Sequence, residues 1–236
     1  MKLLAEGLNQ ICAVDKTAAF FIKTRFNDIF GALQLYIEEI ERFNPAYGLV
    51  KADDRETLIV KHILDSLAPL GHIAGLLGIA AGSPGHPGKG KTLADAGSGA
   101  GLPGIPLAVC LPDIQVTLIE RMGRRAGFLR NTAAVLNAAF PGLELSRVLV
   151  EEAEWEKIAQ HQFDCLVLRA LSPLDNGFAA GLARLLKKGG AIAAYKGKHG
   201  TAQKELNSLS GQTELIPLAV PFLGEERCLV LIRQNY

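Results

Sequence analysis

The sequence lacks three features that would each assign the protein to a class: an excess of one charge, a long apolar run and closely spaced cysteines. It carries no excess of one charge, since 25 Lys and Arg stand against 24 Asp and Glu, so any contact with a polyanion must come from a local patch. No long apolar run follows the N-terminal Met, and we therefore expect neither a signal peptide nor a membrane span, and a cytoplasmic location. The cysteines are few and far apart, which favours a reducing compartment and leaves no spacing for a metal site; they are Cys12, Cys110, Cys165 and Cys228.

The chain is long enough for one well-packed core and is predicted to form one compact unit of three parts. Its 236 residues are 49% hydrophobic and 21% charged, which is ordinary for a globular protein. Residues 1–80 have apolar side chains at helical spacing and are predicted as an N-terminal helical extension, with one helix ending near Asn44-Pro45. Residues 81–91 are rich in glycine and proline and read as a loop, and residues 92–236 form the third part.

Strand and helix patterns alternate in this third part, which predicts an α/β fold. Helices are expected at 123–139 and at 173–187, the second ended by Gly189-Gly190. The link between the last two strands is so short that it permits only an antiparallel hairpin. The seven predicted strands are the segment around Asp95 and residues 115–120, 143–150, 163–171, 191–197, 214–222 and 227–234.

The strongest single motif runs from Thr92 to Leu107 and reads TLADAGSGAGLPGIPL. An apolar strand, a glycine turn and a helix start are typical of a small-molecule site above the strand ends of an open α/β sheet. A second motif, GHPGKGKT at 85–92, has the letters of a P-loop. A loop precedes it and a strand follows it, which is the reverse of a working P-loop and favours a connector over an ATP or GTP site.

The glycines also fit a dinucleotide pattern, with Glu120 about twenty residues further on. Two features argue against NAD. Pro103 and Pro106 remove backbone donors that a pyrophosphate needs, and the carboxylate of Asp95 would repel phosphate.

S-adenosylmethionine is free of phosphate and carries a positive centre, so it fits the motif better. Asp95 can attract the amino or sulfonium end, and Glu120 can accept both ribose hydroxyls. Glu151 and Glu152, after the third strand, lie where an adenine would fall, although acids are also favoured in a first helical turn. Three glycines of the turn would let the backbone approach the ligand closely; they are Gly97, Gly99 and Gly101.

Six blocks carry a resemblance to a known family. They are VKHILDSL (60–67), DAGSGAGLPGIPLA (95–108), MGRRAGFLR (122–130), FDCLVLRAL (163–171), AAYKG (193–197) and RCLVLIR (227–233). Together, over about residues 30–235, they resemble the bacterial RsmG (GidB) family of 16S rRNA guanine-N7 methyltransferases. The resemblance implies a Rossmann-like class I methyltransferase fold, S-adenosylmethionine as cofactor, and methyl transfer to N7 of a guanosine in the small ribosomal subunit.

The resemblance also implies roles for individual residues. Lys61, His62, Asp65 and Ser66 match the family's KHxxDS block, and Lys61 and His62 are expected on the acceptor side of the site. Where the family usually has an Arg before its Val-Glu pair, this chain has Leu149. The implied cofactor positions are Gly97, Leu102, Val150, Glu151 and Arg169.

The chemistry of the implied reaction requires little of the protein. Guanine N7 has an exposed lone pair and needs no general base, so positioning and electrostatics suffice. Arg169 follows the fourth strand, where methyl donor and acceptor would meet, and could hold the cofactor carboxylate, a phosphate or guanine O6. Alternatively, Arg169 forms an ion pair with a nearby acid. For His62, the alternative is a structural role in which its ring forms hydrogen bonds with Asp65 or Ser66.

For RNA contact, the candidates are Arg124, Arg125 and Lys196, each of which could instead lie on a solvated face. Their positive neighbours are Arg121, Arg130, Lys187, Lys188, Lys198 and His199. The expected partner is 16S rRNA in the small subunit, and the expected state is a monomer. Two other functions stay open from the residues alone: a methyltransferase acting on a small molecule or a protein, and a non-catalytic sensor of an adenosine ligand or assembly factor.

Overall fold

The computed structural model of the chain describes residues 1–82, 88–169 and 174–233. None of the helices within these ranges is long and apolar enough to cross a membrane. Part of the loop at 81–91, and with it part of the P-loop-like motif, falls outside them. The helices are α1 (Lys2–Val14), α2 (Lys16–Thr24), α3 (Phe26–Tyr47), α4 (Arg55–Leu58), a π-helix (Ile59–Leu64), α5 (Asp65–Leu67), α6 (Leu70–Leu76), α7 (Gly104–Cys110), α8 (Gly123–Ala139), α9 (Asn176–Ala183) and α10 (His199–Ser208).

Seven strands form one sheet in the order β3-β2-β1-β4-β5-β7-β6. They are β1 (Thr92–Ala96), β2 (Gln115–Ile119), β3 (Val148–Glu151), β4 (Phe163–Arg169), β5 (Leu186–Lys196), β6 (Gln212–Leu218) and β7 (Arg227–Arg233). The first five pair in parallel, and β7 runs antiparallel to both β5 and β6. This confirms the mostly parallel sheet with an antiparallel C-terminal hairpin. The strand order reverses beside β1, the position at which open α/β sheets bind ligands.

The glycine pair at 189 and 190 lies inside β5, although the sequence pattern predicts a helix end there. Phe163 pairs with Leu186 and Cys165 with Ala191, so β5 has extra residues opposite β4 and bulges. Gly189 takes a φ of 77°, which a residue with a side chain rarely adopts. The preceding helix, α9, is therefore shorter than predicted, and its predicted start at 173 falls outside the described residues.

Other element ends also differ from the prediction, such as those of β6 (Gln212–Leu218), and two of the differences have a clear physical reason. The third strand begins at Val148 rather than at 143, because Glu144 has a φ of 50° and Leu145–Arg147 form a 3-10 turn. Helix α3 continues past Pro45 and ends before Gly48, whose left-handed conformation stops it. Helix α8 has the predicted bounds.

The N-terminal helices and the sheet share a hydrophobic core. Leu8, Ile37 and Ile63 from the helices are fully buried in one cluster with Leu107 and Val167. A second cluster contains Leu166 and other side chains of the opposite sheet face, as the alternation along a strand requires. The N-terminal helices therefore cover one face of the sheet and reach its carboxyl edge.

Candidate active site

A cavity of about 990 Å³ opens at the carboxyl edge of the sheet, beside the point where the strand order reverses. This volume lies at the upper end of the range for small-molecule sites. Its walls come from the turn after β1, the ends of β2, β4 and β5, the π-helix and the start of β7. One cavity therefore joins the N-terminal helices to the sheet.

The glycine turn after β1 forms one wall. Gly97 and Gly99 line the cavity and have φ values of 72° and 58°, so both need the freedom of glycine. The Gly97 amide donates to the Ile119 carbonyl oxygen at 2.9 Å, which ties the turn to β2. From α3, the buried Tyr36 hydroxyl donates to the Ala100 carbonyl oxygen at 2.7 Å. The wall is therefore fixed from both the sheet and the helical layer.

Gly101 does not line the cavity, unlike the other two glycines that the sequence predicts to approach the cofactor. A Cβ at this position would lie 2.6 Å from Ile105 and 2.9 Å from Leu129. Its φ of 92° also favours glycine. Gly101 therefore serves the packing of the turn against α7 and α8.

Asp95, predicted to contact the positive end of the cofactor, is fully buried and does not line the cavity. Its Oδ2 accepts a hydrogen bond from the Gly104 amide at 2.9 Å, at the start of α7, and its Oδ1 has no partner. Burial raises the pKa of Asp95 to about 7, although the Gly104 amide opposes the shift. In this structure the carboxyl group holds the first turn of α7 below the glycine turn.

Glu120, which follows β2, does line the cavity and is only 5% exposed. Its Oε2 accepts from the Gly99 amide at 3.0 Å and its Oε1 from the Met122 amide at 2.8 Å. Each oxygen keeps a free lone pair, so the carboxylate can also accept hydrogen bonds from hydroxyl groups of a ligand in the cavity. This arrangement suits the ribose of an adenosine ligand.

The end of β3 contributes differently from the prediction. Val150 and Glu151 do not line the cavity, but the Glu151 carbonyl oxygen accepts from the Glu120 amide at 3.0 Å. The residues that line the cavity come next in the chain and run from Ala153 to Glu156. Trp155 among them packs edge-on against Phe178 of α9, with ring centroids 5.5 Å apart.

Arg169, at the end of β4, forms the opposite wall. Its guanidinium donates from Nη1 to Asp65 Oδ2 at 3.2 Å and from Nη2 to His62 Nδ1 at 3.3 Å. Nη1 also lies 3.5 Å from the Lys61 carbonyl oxygen. Arg169 therefore forms an ion pair with a nearby acid, Asp65, and lines the cavity as well.

These partners come from the π-helix and the residue after it, a stretch that the sequence predicts as an ordinary helix. His62 and Asp65 both contact Arg169. Ser66 turns away, since its hydroxyl donates to the His62 carbonyl oxygen at 2.6 Å. The wider π-helical turn is a feature often found at functional sites.

His62 is held as a neutral ring. Its Nε2 lies 3.2 Å from the Lys51 carbonyl oxygen, which can only accept, so Nε2 carries the proton and Nδ1 accepts from Arg169. Burial and the adjacent Arg169 charge lower the pKa of His62 to about 4. Both ring nitrogens are engaged, and His62 therefore positions Arg169 rather than accepting a proton.

The lowered pKa of His62 predicts a pH-dependent difference in stability. The unfolded chain takes up a proton on His62 near its ordinary pKa of 6.5, but the folded protein only near 4. The folded state is therefore favoured above pH 6.5 and loses this advantage as the pH falls toward 4. The free energy of unfolding of the wild type, minus that of His62→Gln, should rise between pH 4 and 6.5 in urea titrations. A difference that does not change with pH would show that the ring is not held neutral.

A second arginine, for which the sequence predicts no role, completes the group. Arg227, the first residue of β7, donates from Nε to Asp65 Oδ1 at 3.2 Å and lines the cavity. The two oxygens of Asp65, which is 4% exposed, thus each accept from one guanidinium. Burial raises the pKa of Asp65, while Arg169 and Arg227 act in the opposite direction. One carboxylate positions two cations at the cavity wall.

The predicted RNA-contacting residues fall into different places. Arg125 lines the cavity and donates to the Gly48 carbonyl oxygen at 3.0 Å, whereas Arg124 is exposed outside it. Lys196 lines the cavity, and its Nζ lies 2.7 Å from Glu205 Oε2. Lys187 lies at the other end of β5, 2.8 Å from Asp164, and so away from the cavity.

Comparison with known proteins identifies the family. The family model described as GidB, rRNA small subunit methyltransferase G, matches residues 30–230. The chain belongs to this family. Ribosomal RNA small subunit methyltransferase G of Treponema pallidum is 38% identical to it, over 98% of this chain and 92% of that protein. The protein of the same name from Xanthomonas axonopodis pv. citri is 37% identical, over 85% and 84%.

Among solved structures, the chain shares its fold with a predicted O-methyltransferase from Agrobacterium tumefaciens. The TM-score is 0.51 at 21% identity, and the match covers 69% of this chain and 81% of that one. The family and the Rossmann-like methyltransferase fold that the sequence predicts are both confirmed. Within the described ranges, no group of three or more His, Cys, Asp or Glu side chains could hold a metal ion.

Proposed function

We propose that this member of the family transfers a methyl group from S-adenosylmethionine to N7 of a guanosine in 16S rRNA. The observation that carries the proposal is one cavity with two unlike walls. The glycine turn and Glu120 form a wall suited to an adenosine cofactor, and Arg169 and Lys61 belong to a cationic wall suited to RNA. The family match over residues 30–230 supports the same function.

The described residues fit S-adenosylmethionine, which supplies an electrophilic methyl group when bound. Gly97, Gly99 and Leu102 would hold it along the turn, and Glu120 would accept from the ribose hydroxyls. The aromatic ring of Trp155 offers a surface for the adenine. The remaining predicted positions do not line the cavity and would act only through the backbone and packing behind its wall; they are Asp95, Gly101, Val150 and Glu151.

Replacing Glu120 tests the cofactor wall. In Glu120→Gln one carboxylate oxygen becomes an NH2 group, which cannot accept a hydrogen bond from a hydroxyl. The side chain also loses its negative charge. We expect S-adenosylhomocysteine to bind about tenfold more weakly in calorimetry, since hydrogen bonds to charged groups are worth about 1.5–3 kcal/mol. Glu151→Gln is the matched control, because its side chain does not line the cavity. Equal affinities for both variants and the wild type would remove Glu120 from the cofactor site.

On the acceptor side, the structure supports a reaction without a general base. The N7 lone pair needs no deprotonation, and His62 has no nitrogen free to accept a proton. The Tyr195 hydroxyl is also engaged, since it donates to the Ser66 carbonyl oxygen at 2.9 Å. In the proposed mechanism Arg169 holds the guanine through O6, beside N7, and fixes the base for in-line attack.

The first test is which molecule receives the methyl group. The protein is incubated with S-adenosylmethionine labelled in its methyl group and with small subunits, tRNA, total protein and a small-molecule extract from cells that lack this enzyme. Label in 16S rRNA alone supports the proposal. Label in tRNA, protein or a small molecule, or none despite cofactor binding, would contradict it.

The proposal includes a monomer acting in the cytoplasm. The residues of a single copy suffice to form both walls of the cavity, so the proposed reaction does not require a second copy. The proposed substrate, the small ribosomal subunit, is assembled in the cytoplasm.

A further inference from the structure

A carboxylate at the rim of the cavity joins two of its cations. Glu225 lies in the link between β6 and β7, with Oε1 2.8 Å from Lys61 Nζ and Oε2 3.2 Å from Arg227 Nη2. Lys61 and Arg227 line the cavity, but Glu225 does not. The two cations therefore face the cavity while the carboxylate bridges them from the solvent side.

We propose that Lys61 and Arg227 form a binding site for an RNA phosphate, and that Glu225 occupies this site until RNA displaces it. The inference rests on the proposed function and names a contact with its substrate. A phosphodiester presents two non-bridging oxygens that share one negative charge, as a carboxylate does, so the same two donors serve both groups. Arginine and lysine are the usual partners of phosphate in proteins.

The contact between Glu225 and Lys61 is easily replaced. The Lys61 and Glu225 side chains are 46% and 50% exposed, and ion pairs between such exposed groups add little to stability because water screens them. A phosphate that enters the cavity rim thus meets two cations whose present partner can move into solvent.

The link between β6 and β7 has other anchors, so its position does not depend on the charge of Glu225. Arg227 donates to the buried Asp65 at 3.2 Å and to the Glu226 carbonyl oxygen at 2.8 Å. Glu226 Oε2 accepts from the His199 amide at 3.0 Å, at the start of α10. A neutral residue at 225 should therefore leave Arg227 in place while it frees Lys61.

The site lies beside the predicted acceptor. Arg227 and Arg169 share the carboxylate of Asp65, so a phosphate on Arg227 lies on the same wall as the guanidinium that faces the base. This places the proposed phosphate close to the nucleotide that enters the cavity. Lys61 and Arg227 would then fix the backbone while Arg169 fixes the base.

Glu225→Gln tests the inference by binding. Glu214→Gln, at an exposed position of β6, makes the same change in net charge away from the cavity. Filter binding is measured with a 16S rRNA transcript and with a single-stranded oligonucleotide at rising salt. We expect Glu225→Gln to bind both RNAs about three- to tenfold more tightly than Glu214→Gln at low salt, with the gain shrinking as salt rises. Affinity for S-adenosylhomocysteine and the melting temperature should stay unchanged.

A double variant separates a site from a general charge effect. In the Lys61→Met background, Glu225→Gln should give a much smaller gain, because one of the two released cations is gone. The inference would be overturned if Glu225→Gln raised the affinity for RNA no more than Glu214→Gln does. It would also be overturned if Glu225→Gln raised that affinity by the full amount in the Lys61→Met background.

The phosphate site and the proposed function fail in different ways. If Glu225→Gln binds RNA more tightly but the wild type leaves 16S rRNA unmethylated, the function is wrong and the phosphate site is supported. If the wild type methylates 16S rRNA but Glu225→Gln binds no more tightly than its control, the phosphate site is wrong and the function is supported.

Discussion

Replacing Arg169 by alanine should lower the rate of methyl transfer by more than about tenfold and leave the fold intact. Arg169 lines the cavity and its guanidinium is oriented by Asp65, His62 and the Lys61 carbonyl oxygen. Such an oriented cation contributes most where charge redistributes during the reaction, and so acts on the rate more than on binding. The measurement is single-turnover transfer of labelled methyl to small subunits.

The control for Arg169→Ala is Arg233→Ala, which removes an exposed arginine at the far end of β7. Circular dichroism and the binding of S-adenosylhomocysteine show whether each variant is folded. Near-normal turnover by a folded Arg169→Ala would remove this residue from the reacting centre. Arg169→Lys should recover little activity, since an ammonium cannot reproduce the fork that contacts Asp65 and His62 together.

Asp65→Ala should cause the largest loss of stability. Its carboxylate accepts from both Arg169 and Arg227 and is almost completely buried. Removing one partner from a buried ionic group typically costs about 3–5 kcal/mol, because the remaining charges lose their compensation. Urea unfolding at neutral pH measures this change, and activity should fall with it because Arg169 loses an orienting partner.

Asp53→Ala, at an exposed acid in the segment before α4, is the comparison for Asp65→Ala. Its free energy of unfolding should stay within about 0.5 kcal/mol of the wild type. If Asp65→Ala were equally mild, the two guanidiniums would have other sufficient partners, and Asp65 would not organise the cavity wall.

Much of the fold could be predicted from the sequence because local patterns determine it. The strand-glycine-helix motif after Thr92 and the short link before Arg227 predict a parallel sheet with an antiparallel end, as observed. The bulge at Gly189 could not be predicted, since a glycine pair after a helical pattern signals a helix end equally well. Pairing with β4 decides between a helix end and a strand bulge at this position, and that pairing is a tertiary contact.

The site could be predicted less completely. Glu120 and Arg169 lie at the ends of strands, and position along a strand is enough to bring both to the cavity. Asp95 also lies near a strand end, but its side chain points to the start of α7, and no local pattern shows this. Arg227 joins the site through its contact with Asp65, which spans most of the chain, and the sequence pattern does not distinguish the π-helical turn from an α-helix.

Leu149 illustrates a departure whose consequence only the structure shows. It is exposed at the position where the resemblance to the family implies an arginine. Arg147, two residues earlier, donates to the Ala108 and Leu111 carbonyl oxygens at 2.7 and 2.6 Å. It therefore caps the end of α7, and neither Arg147 nor Leu149 lines the cavity.

The most direct test of the central claim identifies the methylated atom. Small subunits from cells that lack this enzyme are incubated with the protein and S-adenosylmethionine, and the 16S rRNA is then digested to nucleosides and analysed by mass spectrometry. We predict one new 7-methylguanosine per subunit, formed more than about tenfold more slowly by Arg169→Ala than by the wild type. A methyl group on another atom of guanine, on another base, or on no nucleoside of the 16S rRNA would contradict the account.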